Sequence, residues 1–224
     1  MMSERRLGRR QLLKAAGLLG AAAAVIDPTK VFADDDEGEG RVTWDIVNVN
    51  FVNGSPTKIT RGGTAKAMST DQNHVPTGEI TVTGHGTFPN ADKCSKHVTG
   101  GGTWKVTSGS ADCFPGSGTY RVTELLSWHP AAGTLPLPDA TGDSGTPSSG
   151  LAILRALFTD ATTGKSHRGT LTVSCHLPAG PTPACIFEGI TASVEYEDFW
   201  QNEAPGAGEG NRTLFHVSSN GERD

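Results

Sequence analysis

The chain has 224 residues, of which 35% are hydrophobic and 19% are charged, and its formal net charge is −5. This composition excludes a disordered polymer, a collagen-like fibre and a multi-span membrane protein, and it fits one globular domain. Glycine contributes 29 residues and proline 13, whereas only 6% of the chain is aromatic. This balance favours short strands joined by turns over a helical bundle.

The N-terminal segment, residues 1–33, has the pattern of a targeting signal. Four arginines lie between positions 5 and 10, and an Ala-rich apolar run follows at 15–26. Residues 9–14 (RRQLLK) resemble the twin-arginine export signal, with Gly8 where that pattern usually has Ser or Thr. This resemblance implies a secreted or periplasmic bacterial protein, and the small-x-small rule applied near residues 31–33 predicts cleavage after Ala33. The alternatives are an amphipathic helix of the mature protein and a membrane anchor, but the run is shorter than the ~20 residues that a span requires.

Removal of residues 1–33 takes away six basic and two acidic residues, which changes the formal net charge from −5 to −9. No basic cluster follows in the remaining sequence, so we expect neither a nucleic-acid partner nor membrane attachment after cleavage. Residues 34–40 form an acidic leader, for which we predict flexibility, and 220–224 form a polar tail. Residues 41–219 remain as a single domain.

A short repeat, Gly-x-Gly-Thr-aromatic, occurs at 84–88, 100–104 and 116–120, and each copy begins 16 residues after the previous one. This period accommodates one strand and one turn, so it predicts an antiparallel meander with strands near 79–89, 97–107 and 117–128. No helix-forming pattern follows any copy, which argues against a phosphate-binding glycine loop.

Even-numbered positions of the meander are mostly apolar residues or glycine, so we predict that they face the core. A turn at residue 93 sets Gly84 opposite Gly102 and Gly86 opposite Gly100. Either these glycines let the sheet coil tightly or let another layer pack close, or they form the floor of a ligand pocket with aromatic walls. The second interpretation predicts these ligand-binding residues: Gly84, Gly86, Phe88, Gly100, Gly102, Trp104 and Tyr120.

Further strands are predicted at 42–51, 151–160, 169–177, 184–197 and 212–218. Residues 129–150 contain four prolines and four glycines, for which we predict disorder, with a mobile lid as the alternative. Seven or eight strands without a clear helix predict an all-β domain, built as a single antiparallel barrel or sandwich.

Four cysteines in an exported chain favour disulfides. A hairpin centred on residue 180 would place Cys175 opposite Cys185, so we predict that these two are bridged. Cys94 and Cys113 lie near opposite ends of the second meander strand, too far apart for a bridge, and their state stays open. The cysteine and histidine spacings lack the pairs typical of metal sites, so no metal is predicted.

Two acids, Glu188 and Glu124, are candidates for acid-base catalysis. Glu188 has apolar neighbours, and if its side chain points inward, desolvation would raise its pKa and suit it to proton transfer. The alternative orientation is towards solvent. The hairpin register separates Glu188 from His176 by about 13 Å, which argues against a dyad of the two. Neither a nucleophile elbow nor a cofactor motif is present, so no cofactor is predicted and catalysis stays open.

The glycine-rich meander, residues 79–122, resembles the small eight-strand barrels of the dirigent and allene oxide cyclase type. That resemblance implies a barrel whose interior binds an apolar small molecule, although no catalytic residue of the family matches a position here. Our leading hypothesis is an exported, non-catalytic β-barrel domain that binds a small, partly apolar ligand. The alternatives are a cyclase- or isomerase-like barrel enzyme with a buried Glu, and a cell-envelope interaction module. The oligomeric state stays open.

Overall fold

A computed structural model describes residues 40–91, 94–107, 114–205 and 210–219. The described part is all-β, which confirms the predicted fold class, and its strands form one antiparallel sheet of 13 strands where we expected seven or eight. None of these residues belongs to a helix long and apolar enough to cross a membrane. The targeting segment, the tail and all of the leader except Gly40 lie outside the described residues, so those predictions stay predictions.

The strands follow one another in a chain with mostly short connections. Their bounds are β1 (Arg41–Val52), β2 (Ser55–Arg61), β3 (Ala65–Thr70), β4 (Pro76–Val82), β5 (His85–Pro89), β6 (Thr99–Thr107), β7 (Gly116–Ala131), β8 (Thr146–Asp160), β9 (Ser166–Cys175), β10 (Gly189–Val194), β11 (Glu197–Phe199), β12 (Gln201–Asn202) and β13 (Arg212–Ser218). The first predicted meander strand is divided into β4 and β5. Four short strands, β2, β3, β11 and β12, were not predicted.

The sheet places strands from both ends of the domain side by side. Its order is β11-β10-β9-β8-β13-β1-β5-β6-β4-β3-β12, with β2 paired to β1 and β7 paired to both β6 and β8. Strand β1 is paired on both edges, since Trp44 lies opposite Phe215 of β13 and opposite Gly86 of β5. Because both faces of β1 are buried along residues 44–47, other parts of the chain cover it on both sides.

The predicted register between the first two strands of the meander is confirmed. Gly86 lies opposite Gly100, and Val82 lies opposite Trp104, so both pairs follow the same antiparallel register. A Cβ at Gly86 would clash with the indole of Trp44, and one at Gly84 would clash with the hydroxyl of Tyr120. The glycines therefore let side chains of neighbouring strands approach the backbone closely, as the packing interpretation requires.

The predicted buried face continues only as far as Val122 in β7. Two bulges interrupt the pairing with β8, one between Val122 and Glu124 and one between Leu125 and Ser127. Each bulge adds an unpaired residue and reverses the alternation. The buried positions are therefore Val122, Leu125 and Trp128, spaced by three, whereas Glu124 faces outward.

The predicted disorder of residues 129–150 is wrong. Both ends belong to β7 and β8, and the middle of the segment is bonded to β2: the amide of Ile59 donates to the Pro138 carbonyl (3.0 Å), and the amide of Ala140 donates to the Ile59 carbonyl (2.9 Å). Leu135 and Leu137 pack against the hydrophobic core. These two leucines give the segment apolar surface to bury, and this offsets its many turn residues.

Candidate functional site

A cavity of about 270 Å³ lies against β1 and β2, beneath the segment 135–137 and beside the connection that follows β9. This volume is close to the lower end of the range for small-molecule sites, about 300–1,000 Å³. Four polar residues, His176, Glu188, Arg212 and Thr213, contribute to the lining. The other walls are mainly aliphatic, and they include Val47, Val49, Ile59, Leu135, Leu137 and Leu177.

Strand geometry explains why these residues meet. Val47 and Val49 are two residues apart along β1, so both side chains project from the same face of the strand. Arg212 at the start of β13 lies directly opposite Val47, so its side chain shares that face. The segment 135–137 then closes the space above them. The cavity is thus assembled from parts of the chain that are far apart in sequence.

Glu188, immediately before β10, takes the inward orientation. Its Oε2 accepts a hydrogen bond from the His176 amide (2.5 Å), and its Oε1 accepts one from the Thr213 amide (2.6 Å). The Thr213 hydroxyl lies 3.4 Å from Oε1 but donates its single proton to the Ser174 carbonyl (2.6 Å). The residue as a whole is half-buried because one side of it lines the cavity, whereas its carboxyl group is enclosed by these donors.

The environment of Glu188 shifts its proton affinity. Burial raises the pKa of Glu188 to about 7, although the backbone donors of Thr213 and His176 and the nearby Arg212 act in the opposite direction. A carboxyl group with this pKa exchanges its proton near neutral pH, so Glu188 is able both to accept a hydrogen bond from a ligand and to transfer a proton.

The predicted separation of Glu188 and His176 is wrong. The residues are in direct contact through the His176 amide, while the imidazole Nδ1 lies 2.9 Å from the Ile186 carbonyl. The prediction assumed a regular hairpin around residue 180. In the structure β9 ends at Cys175, β10 begins only at Gly189, and the connection folds back irregularly over the end of β9.

The predicted bridge between Cys175 and Cys185 is also wrong, for the same reason. The pairing of β9 with β10 sets Ser174 opposite Gly189, so Cys185 is not in the ladder at all. Cys175 is buried, Cys185 is exposed, and both thiols are free. Cys94 is also free and exposed, and its thiol donates to the Leu126 carbonyl (3.2 Å), whereas Cys113 lies outside the described residues.

The residues predicted to bind a ligand at the glycine floor lie elsewhere in the sheet. Phe88, Trp104 and Tyr120 are core residues with at most 4% of their surface exposed. The side chains of Trp44 and Tyr120 occupy the space in front of Gly84 and Gly86. A ligand role for Gly84, Gly86, Gly100 and Gly102 stays a prediction, and the cavity described above does not include them. Glu124 does not line that cavity either, and its carboxylate forms an ion pair with Arg155 on the outer face.

A second group of ionisable side chains, which the sequence analysis missed, lies on the cavity side of β1. Arg61 contacts Asp143 and also approaches Asp45, with 3.7 Å between Nε and Oδ1. His216 Nε2 lies 2.5 Å from an Asp139 carboxylate oxygen. These contacts attach the segment after β7 to β1, β2 and β13. The sequence did contain a signal, because Asp45 and His216 each have an apolar residue on both sides in the chain.

The carboxyl groups of this cluster titrate differently. Burial raises the pKa of Asp45 to about 8, and the neighbouring Asp143 adds to this rise. Burial also acts to raise the pKa of Asp143, but contacts with Asp45 and Arg61 outweigh it, so that pKa is lowered. At neutral pH, Asp45 is therefore mostly protonated beside an ionised Asp143. The proton removes the repulsion between the two carboxylates.

The described ranges contain no group of three or more His, Cys, Asp or Glu side chains suited to hold a metal ion. Comparisons of the chain with protein-family models, with curated proteins and with solved structures found no match. The function is therefore argued from the geometry of the cavity and its lining.

Proposed function

We propose that the chain is an exported β-domain that binds a small, partly apolar ligand in the cavity beside Glu188, without catalysis. The observation that carries this proposal is a cavity with aliphatic walls and one polar end. An apolar cavity of about 150 Å³ accommodates benzene. The present volume of about 270 Å³ has room for a ligand of roughly twice that size.

The polar end favours a ligand with a hydrogen-bond donor. Both carboxyl oxygens of Glu188 already accept hydrogen bonds from the chain, which holds the group in place. Each carboxylate oxygen has two acceptor positions, so Oε2, with one donor in the structure, keeps capacity for a ligand hydroxyl. An apolar body with one hydroxyl group matches both parts of the lining.

The strand pairings support a barrel as the scaffold of this site. β8 pairs with β13, β13 with β1, β1 with β5, β5 with β6, and β6 with β7, and β7 pairs again with β8. A closed ring of this kind holds β1 and β13 rigidly, and both strands contribute to the cavity wall. Export is proposed from the resemblance of residues 9–14 to the twin-arginine signal.

Thermal-shift and calorimetric titrations with terpenoid alcohols, fatty acids and short glycans test the proposal. We expect a terpenoid alcohol to stabilise the chain, because it combines an apolar body with a donor. Leu137→Trp fills the cavity from its roof and should abolish the stabilisation. Val75→Trp, at a side chain that is 56% exposed, is the matched control and should retain it. Failure of all three ligand classes to stabilise the wild-type chain would contradict the proposal.

One observation favours a second candidate, an acid-base enzyme of the cyclase or isomerase kind. Glu188 lines the cavity with a pKa raised to about 7, where a carboxyl group serves as acid or base. Glu188→Gln distinguishes the two candidates. In an enzyme, this variant would bind the ligand but no longer convert it, whereas in a binding protein the wild-type chain returns the ligand unchanged.

A further inference from the structure

A depression of about 360 Å³ on the outer face of β7, β8 and β9 gathers four basic side chains. Lys96, Arg121, Arg155 and Arg168 line it, and all four are exposed. We call this surface the arginine depression. Its remaining lining consists of Thr123, Glu124 and Leu157.

The register of the sheet determines how the three arginines are arranged. Arg121 lies opposite Leu157, and Leu157 lies opposite Arg168. Neighbouring strands are about 4.8 Å apart, so the backbones of Arg121 and Arg168 are about 10 Å apart, with Leu157 between them. Arg155 projects from the same face of β8 as Leu157, about 7 Å further along the strand. Three guanidinium groups thus surround one aliphatic side chain.

The first bulge of β7 shapes one end of the arginine depression. It turns Glu124 outward, where its carboxylate accepts a hydrogen bond from Arg155 Nε (2.8 Å). This contact uses one edge of the guanidinium group and leaves its terminal amino groups as donors for another partner. An isolated bridge between Ser95 and Leu125 brings the chain of Lys96 to the same place.

The charge of the arginine depression is opposite to that of the chain. Four basic groups meet one carboxylate here, whereas the whole chain has a formal net charge of −5. Arg155 is paired with Glu124, but among the described residues no carboxylate forms an ion pair with Lys96, Arg121 or Arg168. A positive patch without enough counter-charge attracts anions, and arginine binds phosphate oxygens in bidentate geometry.

We propose that the arginine depression binds a small soluble ligand that carries a diphosphate or two adjacent phosphate groups. Arg121 and Arg168 approach such a ligand from opposite sides, and Arg155 and Lys96 complete the positive rim. Leu157 provides a small apolar contact at the centre. This site lies on the outer face and is independent of the cavity beside Glu188.

Calorimetric titration of the full chain with inorganic pyrophosphate tests the proposal. We expect saturable binding of one pyrophosphate, with an affinity that falls as the salt concentration rises. The double variant Arg121→Gln/Arg168→Gln removes two charge-assisted contacts and should weaken binding at least about tenfold. Arg121→Lys/Arg168→Lys keeps the charge but loses bidentate geometry, so its affinity should lie between those of the wild type and the Gln variant.

The double variant Lys58→Gln/Lys105→Gln is the matched control, because it removes the same charge from exposed positions outside the arginine depression. It should bind pyrophosphate like the wild-type chain, and thermal unfolding verifies that each variant is folded. Equal loss in the control would overturn the proposal, since it would show attraction by overall charge alone. The absence of saturation, or binding only to vesicles containing phosphatidylglycerol, would overturn it as well.

Discussion

Glu188 and Asp45 are both carboxyl groups removed from water beside β1, but they differ in what surrounds them. Glu188 accepts hydrogen bonds from the backbone amides of His176 and Thr213. Asp45 faces a second carboxylate, Asp143, and is approached by Arg61 only at 3.7 Å. Donors satisfy an ionised carboxylate, whereas a neighbouring carboxylate favours a bound proton. Burial alone therefore does not determine what a carboxyl group does.

The two regions also differ in their position relative to the cavity. Glu188 remains in contact with the cavity and so is available to a ligand. Asp45 is only 1% exposed, and its cluster attaches the segment 132–145, whose leucines form the cavity roof. In the proposed site, the first region would contact the ligand, whereas the contacts of the second attach the cavity roof to the sheet.

The largest expected effect is that of Glu188→Ala on stability. This change leaves the buried amides of His176 and Thr213 without an acceptor, and each unsatisfied group costs about 1–3 kcal/mol. We expect the free energy of unfolding in urea to fall by roughly 3 kcal/mol. Glu188→Gln retains an acceptor oxygen and should recover part of the loss. Unchanged stability in the Ala variant would mean that these donors do not depend on Glu188.

A smaller effect is expected for Asp45→Asn, and it depends on pH. The folded pKa of Asp45 is raised from 3.8 to about 8, so its stabilising contribution is present at low pH and is lost as the pH rises through this interval. The variant cannot titrate, so we expect its unfolding free energy to exceed that of the wild type at pH 9, and this difference should shrink as the pH falls towards 4.

The control for this pH profile is Asp198→Asn, at an exposed carboxylate whose contact with Ser193 an amide oxygen can replace. The control should keep the wild-type slope of unfolding free energy between pH 4 and 8. The pKa of Glu188 is also raised on folding, from 4.5 to about 7, so Glu188 also loses stabilising free energy as the pH rises, but over a lower pH interval. This loss should persist in Asp45→Asn. If the unfolding free energy of Asp45→Asn varied with pH as steeply as that of the wild type, groups other than Asp45 would be responsible for the pH dependence.

The smallest expected effect is that of Glu124→Ala, which serves as the surface reference for both buried carboxyl groups. Glu124 forms an ion pair with Arg155, whose side chain is 49% exposed, and such surface pairs contribute about 0–1 kcal/mol. Urea unfolding should therefore change by less than about 1 kcal/mol. A loss as large as that of Glu188→Ala would remove the distinction between buried donors and surface pairs.

Local patterns correctly predicted the register between the first two strands of the meander, down to the pairing of Gly86 with Gly100. The predicted alternation is wrong from Thr123 to Leu126 in β7, where two bulges each add an unpaired residue. The pattern of apolar residues alone does not reveal such a residue. Local patterns also failed around residue 180, where prolines and glycines indicated a turn but not that the connection would fold back onto Glu188. The inward orientation of Glu188 was only one of two alternatives until its donors were located.

The amino-acid sequence by itself determined the all-β class and the register between the first two meander strands, because alternation and turn spacing act over short stretches of chain. Tertiary structure alone decided where distant residues meet. Asp139 and His216 are 77 residues apart in the sequence but are in contact. The basic residues of the arginine depression are also dispersed along the chain, so no basic cluster in the sequence predicts that surface. The physical reason is that strand pairing across a sheet, and the segments that cover its faces, place side chains together without regard to their separation along the chain.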